Sequence, residues 1–293
     1  MNITVTGSLG NIGKPLTEEL VQKGHTVTVI SRSLARQQDI QALGARAAIG
    51  SLENADFLTS TFIGADAVFA MVPPNYRAPD MRAYYRGIGH AYAGAIGRSN
   101  VKRVVHLSSF GAHLDRGAGP ILGSHDVEGI LNGLDATLTH LRPTYFYYNL
   151  YGYIEMIKGQ GLIAANYGGD DKIPMVAPSD IAAAAAAELE APHGERVRYV
   201  ASDEHTANEV AQTLGAAIGK PDLQWVTITD EQMRSGLKAT GMSAYVAGLL
   251  VDMYASLHSG ALTEDYEKYK PSPMGKVKLK DFAEEFSAAF NKA

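Results

Sequence analysis

The stretch that decides the fold is Ile3-Thr4-Val5-Thr6-Gly7-Ser8-Leu9-Gly10-Asn11-Ile12-Gly13, at the start of a chain of 293 residues. Its β-branched beginning predicts a buried strand, and the residues after Gly13 predict a helix that stops at Gly24. The glycine spacing between them predicts a sharp turn, a close approach of the backbone to a phosphate, and tight packing of the helix on a sheet. The loop therefore predicts a dinucleotide site with its pyrophosphate at a helix start.

The rest of the first half of the chain alternates short apolar runs with helix-length segments. The runs at 26–30 and 67–72 are examples of buried strands, and 81–98 is a long helical pattern. Such alternation predicts an α/β fold with a doubly wound parallel Rossmann sheet.

The pattern changes after Pro143, and this change predicts a second, smaller lobe. Capping boxes at 206–209 and 229–232 predict helix starts, and Phe282, Phe286 and Phe290 predict one buried helix face. We predict a nucleotide-binding core of residues 1–150, with 174–200 returning to the sheet. Residues 201–293 are predicted to form a mostly helical C-terminal substrate lobe, with a cleft between the two.

Composition excludes several classes of function. The net charge of −5 disfavours nucleic acid as a direct partner, because no basic surplus is available for phosphates. Zero cysteines exclude disulfides, thiolate nucleophiles and cysteine zinc sites. The histidines are scattered without ligand spacing, so no metal site is predicted. No apolar segment is long enough for a membrane span, and no leader pattern precedes the first strand, so a cytoplasmic location is expected.

The end of the second predicted strand indicates the choice of cofactor. It carries Arg32 and no carboxylate, with Arg36 a helical turn further on. An acidic residue there would bind the ribose hydroxyl of NAD, whereas an arginine fits the 2′-phosphate of NADP. We therefore predict NADP(H) in preference to NAD(H). The alternative is that Arg32 is only a solvated arginine at a strand end.

Further segments match a known family. They are Gly50-Ser51-Leu52, Met71-Val72-Pro73-Pro74, Leu141-Arg142-Pro143 with the aromatic run 145–149 behind it, and Lys280-Asp281-Phe282-Ala283. With the GxxGxxG loop, the chain resembles the NmrA-like family of atypical short-chain dehydrogenases, close to its quinone-reductase and triphenylmethane-reductase type. The resemblance covers essentially the whole chain.

This resemblance implies a set of nucleotide contacts along the carboxyl ends of the strands. The implied contacts are Gly7, Leu9, Gly10, Asn11, Ile12, Gly13, Arg32, Leu52, Met71, Val72, Pro73, Ser108, Pro143, Thr144 and Tyr145.

The usual proton donor of short-chain dehydrogenases is missing from the expected positions. Counted back from Glu128, the Tyr-x-x-x-Lys pair would fall on Pro120 and Ser124, and neither can do that chemistry. Hydride transfer to a quinone or a cationic dye needs less help, because the cofactor carries the chemistry. His125 is a candidate for holding the ribose or supplying a proton. The alternative is that Ser124 caps a helix and His125 is a first-turn residue.

Residues 145–153 form the most aromatic stretch of the chain, and they follow a predicted strand. Rings with polar tips suit a flat aromatic ligand. We expect Tyr145 and Tyr148 to line the cleft, with Asn149 as a polar partner, and other rings of the stretch to pack inside the protein.

Two functions from different classes remain open at this point. The first is an NADPH-dependent oxidoreductase that reduces a quinone-like or other small aromatic acceptor. The second is a redox sensor of NmrA type that binds NADP(H) without turnover and acts through a protein partner. A sugar-nucleotide epimerase is disfavoured by the missing pair. Oligomerisation is compatible with the sequence.

Overall fold

The structure, a computed structural model, describes residues 1–292. These residues form two compact units. Both units are assembled from three segments of the chain, whereas the predicted ranges 1–150 and 201–293 are each continuous. The first unit holds residues 1–112, 123–142 and 181–198, and the second holds 113–122, 143–180 and the chain from 199 onward.

Twelve strands occur in residues 1–292. They are β1 (Asn2–Val5), β2 (Thr26–Ser31), β3 (Arg46–Ile49), β4 (Ala67–Met71), β5 (Arg103–Leu107), β6 (Thr137–Pro143), β7 (Tyr145–Phe146), β8 (Leu162–Ala165), β9 (Lys172–Val176), β10 (Val197–Val200), β11 (Asp203–Thr206) and β12 (Gln224–Thr227). Seven of them form the central sheet, in the order β10-β6-β5-β4-β1-β2-β3. The registers from β3 across to β6 are all parallel, which confirms the predicted doubly wound α/β fold.

Twelve α-helices accompany the strands in the same residues. They are α1 (Gly13–Gln22), α2 (Gln37–Ala42), α3 (Ala55–Phe62), α4 (Met81–Ser99), α5 (Ile121–Leu131), α6 (Ile154–Gln160), α7 (Pro178–Glu190), α8 (Ala207–Ala217), α9 (Asp230–Ala239), α10 (Ala244–His258), α11 (Thr263–Lys268) and α12 (Leu279–Lys292). Both predicted capping boxes are confirmed: Thr206 begins α8 and Thr229 begins α9.

Each unit has its own apolar core. In the first, Phe62 and Tyr92 stack with ring centroids 6.5 Å apart inside a cluster that α3, α4, β4 and α5 share. In the second, Phe282, Phe286 and Phe290 of α12 are buried, as their spacing predicts. Tyr147 stacks on Phe282 with centroids 5.1 Å apart. No helix within residues 1–292 combines the length and apolar character that a membrane span requires.

One local prediction needs correction. Helix α5 begins at Ile121, so Ser124 lies inside the helix and is not its cap. Turn bonds from the amides of residues 121 and 122 to residues 118 and 119 start the helix early, directly after Pro120. A short 3₁₀ turn, Leu34–Arg36, precedes α2.

A pair of buried histidines joins β5 to β6. The Nδ1 atoms of His106 and His140 lie 3.0 Å apart, and the rings meet edge to face. Burial lowers the pKa of each imidazole to about 3, far below the ordinary 6.5, and nearby positive charge on Arg142 and Arg196 adds to this at His140. Both histidines are therefore neutral in the folded protein at neutral pH.

The histidine pair predicts a specific loss of stability in acid. Between pH 6.5 and about 3 the unfolded chain binds protons at these sites and the folded chain does not, so stability falls as the pH is lowered. Urea unfolding of His140→Asn is measured at a series of pH values. The slope of its unfolding free energy against pH should be lower than that of the wild type by about 1.4 kcal/mol per pH unit. His90→Asn, at an exposed position of α4, is the matched control. Equal slopes for wild type and His140→Asn would contradict the prediction.

Candidate functional site

The glycine loop is held rigidly between three strands. The amide of Thr6 donates to the Phe69 carbonyl of β4, and the amide of Ser8 donates to the Ile30 carbonyl of β2, both over 3.0 Å. The Met71 amide donates to the Thr6 hydroxyl over 2.9 Å, and the buried Tyr92 hydroxyl donates to the Met71 carbonyl over 2.7 Å. The loop is thus fixed before any ligand arrives.

Glycine stands at each of the three positions of the loop for a different physical reason. Gly7 has a φ of 92°, and a Cβ there would lie 2.7 Å from the sulfur of Met71. A Cβ at Gly13 would lie 2.1 Å from the Ser8 carbonyl oxygen, which no small shift can relieve. At Gly10 the nearest protein atom would be 3.6 Å away, which is ordinary contact. Gly7 and Gly13 therefore shape the loop, and Gly10 leaves room for something other than protein.

The backbone amides of residues 9–13 indicate what kind of ligand fits the space beside Gly10. None of the five donates a hydrogen bond to a protein acceptor in the described part of the chain, residues 1–292. Helix α1 begins at Gly13, and its start has no side-chain cap. Free amides and the positive end of a helix dipole together suit a pyrophosphate. The loop residues Leu9, Gly10, Asn11 and Ile12 thus fit the implied dinucleotide.

Arg32 directly follows β2 and is exposed. Within residues 1–292 no carboxylate forms an ion pair with Arg32, whereas Arg36 lies 3.2 Å from Asp39. The Arg32 charge acts on the phenol of Tyr84: burial raises the pKa of Tyr84, and the guanidinium opposes that rise. Beside Arg32, the hydroxyls of Ser8 and Ser31 lie 3.1 Å apart. Arg32 is therefore available for a phosphate, whereas Arg36 is already paired with Asp39.

Other implied contacts follow the ends of β3 and β4. Leu52 and Val72 are buried, and Met71 and Pro73 are partly exposed. Apolar side chains at the carboxyl edge of a parallel sheet are suited to the faces of a nucleotide base or nicotinamide ring.

Ser108 has a partner that the sequence did not indicate. Its hydroxyl donates to Oε1 of Glu128 over 2.5 Å, and Arg142 clamps the same carboxylate through Nε at 2.9 Å and Nη2 at 2.7 Å. All three side chains are buried. The hydroxyl proton of Ser108 is thus committed to Glu128, and any contact of Ser108 with a nucleotide would use its oxygen as an acceptor.

His125 lies on α5 with one nitrogen engaged. Its Nδ1 is 2.9 Å from the Ala112 carbonyl oxygen. Because a carbonyl only accepts, Nδ1 carries a hydrogen, and Nε2 is the nitrogen that can exchange a proton. Ser124, at the position of the missing lysine, is buried.

The segment Pro143–Asn149 belongs to the second unit. The buried Thr144 amide donates to the Val200 carbonyl over 3.0 Å, which fixes the turn after β6. Tyr145 and Tyr148 are partly exposed and Asn149 is exposed, whereas Tyr147 is buried. As whole residues, Tyr145 and Tyr148 are thus less buried than Tyr147. In residues 1–292, no group of three or more histidine or acidic side chains has the arrangement of a metal site.

Sequence reasoning missed three residues that organise these segments: Glu128, Arg142 and Tyr167. Arg142 stands in a segment that carries the family resemblance, and Glu128 served only as the reference for counting to the missing pair, so the pairing of the two was not predicted. Tyr167 follows β8 in a stretch without a motif, and no sequence pattern indicated it.

The fold and the loop define a dinucleotide-binding Rossmann protein, and comparison with known proteins gives the family. The model of the NmrA-like family matches residues 1–284, so the chain belongs to that family. The NAD(P)H azoreductase of Xenophilus azovorans is 28% identical over 257 residues, which are 86% of each chain. A ketoreductase of Stigmatella aurantiaca, which acts on a farnesylated dihydroquinoline oxide, is 34% identical over 113 residues, 37% of this chain and 34% of its own.

Solved structures share the fold over nearly the whole chain. An NADPH-dependent quinone oxidoreductase of Escherichia coli, complexed with NADPH, superposes with a TM-score of 0.82 at 21% identity, covering 97% of this chain and 99% of its own. The triphenylmethane reductase of Citrobacter sp. also gives 0.82, at 18% identity, covering 98% and 100%. These likenesses establish the fold.

The different roles of Gly13 and Gly10 can be separated by substitution. Gly13→Ala should lower the free energy of unfolding by about 1–3 kcal/mol, because its Cβ overlaps the Ser8 carbonyl. Gly10→Ala should change stability by less than about 1 kcal/mol and still weaken NADPH binding, because its Cβ enters the space above the free amides. Urea unfolding and fluorescence titration measure the two effects. Unchanged NADPH affinity in a folded Gly10→Ala protein would contradict this assignment.

Proposed function

We propose that the protein is an NADPH-dependent oxidoreductase that transfers hydride to a quinone-like or other aromatic acceptor without a Tyr-x-x-x-Lys pair. The observation that carries the proposal is the combination of five free amides at the start of α1 with an unpaired Arg32 after β2, within residues 1–292. The azoreductase and ketoreductase relatives, and the quinone and dye reductases of the same fold, support reduction as the reaction class.

The chain's own residues account for binding and placement. The amides of residues 9–13 bind the pyrophosphate, and Arg32 binds the 2′-phosphate with charge-assisted hydrogen bonds. When bound, NADPH supplies the hydride. Tyr145 and Tyr148 offer ring faces to a flat acceptor, and Asn149 offers an amide. His125 offers Nε2, the ring nitrogen that is not bonded to the Ala112 carbonyl.

The predicted division of labour remains part of this proposal. Residues 1–150, together with 174–200, would bind the nucleotide, and 201–293 would contribute to substrate binding. Pro143 and Thr144 would reach the nicotinamide end, because Pro143 ends β6 and Thr144 follows it at the carboxyl edge of the sheet.

The second candidate is a redox sensor that binds NADP(H) and passes the redox state to a protein partner. Pro120 and Ser124, which provide no proton donor, favour it as much as they favour an unassisted hydride transfer. The sensor requires tight nucleotide binding without any acceptor-dependent oxidation.

One titration series distinguishes the two candidates. The protein is titrated with NADPH and with NADH, and a panel of quinones, azo dyes and triarylmethane dyes is then added while NADPH absorbance is followed. Tight NADPH binding with acceptor-dependent oxidation supports the reductase. Tight binding with no oxidation across the panel contradicts the reductase and supports the sensor.

The role of Arg32 can be tested with a variant of Arg36 as the matched control. Arg32→Ala should weaken NADPH binding by several-fold to about a hundredfold, corresponding to about 1–3 kcal/mol of charge-assisted contacts, and leave NADH binding nearly unchanged. Arg36→Ala, which removes an exposed arginine already paired with Asp39, should change neither. Equal losses for NADPH and NADH in Arg32→Ala would mean that Arg32 has only a structural role.

A further inference from the structure

Three residues of the first unit form a closed cycle of hydrogen bonds beside the glycine loop. The Met71 amide donates to the Thr6 hydroxyl oxygen over 2.9 Å, and the Tyr92 hydroxyl donates to the Met71 carbonyl over 2.7 Å. The hydroxyl oxygens of Tyr92 and Thr6 lie 3.1 Å apart and close the cycle. We call these three residues the Tyr92 network. No sequence motif marks Tyr92, which lies in the middle of α4.

The directions of these hydrogen bonds follow from the number of hydrogens. A phenol has one hydroxyl hydrogen, and that of Tyr92 goes to the Met71 carbonyl, which is its shorter contact. The contact between Tyr92 and Thr6 therefore uses the Thr6 hydrogen. Each hydroxyl then gives one bond and receives one, and bonds in such a chain polarise one another. Burial raises the pKa of Tyr92 above the ordinary 10.0, so its hydroxyl keeps the hydrogen at neutral pH.

The position of the Tyr92 hydroxyl is set by the core of the first unit. The Tyr92 side chain is fully buried, and its ring stacks on Phe62 of α3 with centroids 6.5 Å apart. Both rings belong to the apolar cluster that α3, α4, β4 and α5 share. Because packed cores resist displacement of a large side chain, the hydroxyl is a fixed point to which the chain around it is attached.

The segments attached to this fixed point are the two that flank the predicted nucleotide. Thr6 directly precedes Gly7, where the chain leaves β1, and Met71 is the last residue of β4. The Met71 side chain also lies against the loop, because a Cβ at Gly7 would be 2.7 Å from its sulfur. Tyr92 itself has no exposed surface for a ligand. Any effect of its hydroxyl on a ligand must therefore pass through Thr6 and Met71.

We propose that Tyr92 is a positioning residue for the nucleotide: through Thr6 and Met71 it holds the start of the glycine loop and the end of β4 in the binding conformation. Without its hydroxyl, part of the free energy of binding would be spent on ordering these two segments. The inference rests on the nucleotide binding of the proposed function. It adds a residue outside the site that sets the affinity of the site.

The first test compares two nucleotides in the variant Tyr92→Phe, which removes only the hydroxyl. NADPH and NADH share the pyrophosphate that the loop binds, so both should bind more weakly by the same factor, about threefold to tenfold. Arg32→Ala should instead affect NADPH alone. Tyr85→Phe is the matched control, because Tyr85 stands on the same helix and packs its ring against Gly123 of α5. It should leave both affinities within about twofold.

These affinities are measured by fluorescence titration of folded protein, at a temperature well below the onset of thermal unfolding of each variant. A residue that contributed only to global stability would lower the unfolding temperature and leave the affinity of the folded protein unchanged. Titration therefore separates a positioning role from a purely structural one.

A second test at Thr6 separates hydrogen bonding from packing. Thr6→Val keeps the shape of the buried side chain and removes its hydroxyl, whereas Thr6→Ser keeps the hydroxyl and removes a methyl group. The Tyr92 network predicts that Thr6→Ser binds NADPH more tightly than Thr6→Val, and a packing role predicts the reverse order. In the double variant Thr6→Val/Tyr92→Phe, the loss should be smaller than the product of the two single losses, because both changes break the same cycle. The Thr6 pair carries the test alone if Tyr92→Phe fails to fold.

Amide hydrogen exchange tests the Tyr92 network without any nucleotide. In Tyr92→Phe, the Met71 amide and the Ser8 amide, which donates to the Ile30 carbonyl, should exchange faster than in the wild type. A residue that added only global stability would speed exchange throughout the first unit and not at these amides in particular.

The outcomes distinguish the inference from the function beneath it. Equal losses for NADPH and NADH in Tyr92→Phe, with Thr6→Ser binding more tightly than Thr6→Val, support the inference. Unchanged affinities in folded Tyr92→Phe, a loss confined to NADPH, or the reverse order at Thr6 overturn it and leave the proposed function standing. A wild-type protein that binds neither nucleotide overturns the proposed function and this inference together.

Discussion

The carboxyl edge of the sheet depends on one buried ion pair, Glu128 with Arg142. Glu128 stands on α5, Arg142 is next to last in β6, and the Ser108 hydroxyl after β5 joins the same carboxylate. Removing one partner of such a pair would leave an uncompensated buried charge, at a cost of about 3–5 kcal/mol. The pair therefore fixes three elements in one arrangement. His125 lies one turn before Glu128 on the same helix, so the pair also holds the helix that carries His125.

Satisfied hydrogen bonds also fix the glycine loop. The polar groups around the loop satisfy one another: Thr6 with Met71 and Tyr92, Ser8 with Ile30. The amides of residues 9–13 are the exception, because they meet no protein acceptor in residues 1–292. Unmade backbone hydrogen bonds in an otherwise satisfied loop are costly unless water or a ligand provides the acceptor. The loop is thus built to be completed by an anion.

What the sequence could predict follows from the range of the interactions. Strand and helix periodicity, the capping boxes at Thr206 and Thr229 and the phenylalanine face of α12 are local, and each was correct. Strand β11, with the sequence Asp-Glu-His-Thr, has no apolar alternation, and β7 has only two residues, so neither gave a signal. The pairing of Glu128 with Arg142 and the meeting of Tyr153 with Tyr167 depend on tertiary contacts that spacing does not encode. The predicted start of α5 was wrong because turn hydrogen bonds before it extend the helix.

The position of Ser108 has a consequence for the chemistry at this edge. A serine hydroxyl that donates to a buried carboxylate has no hydrogen left for a substrate oxygen, so it cannot polarise a carbonyl as a donor. Pro120 and Ser124, where the Tyr-x-x-x-Lys pair would fall, supply neither a phenol nor an ammonium group. Under the proposed reductase function, we therefore expect acceptors that take hydride readily.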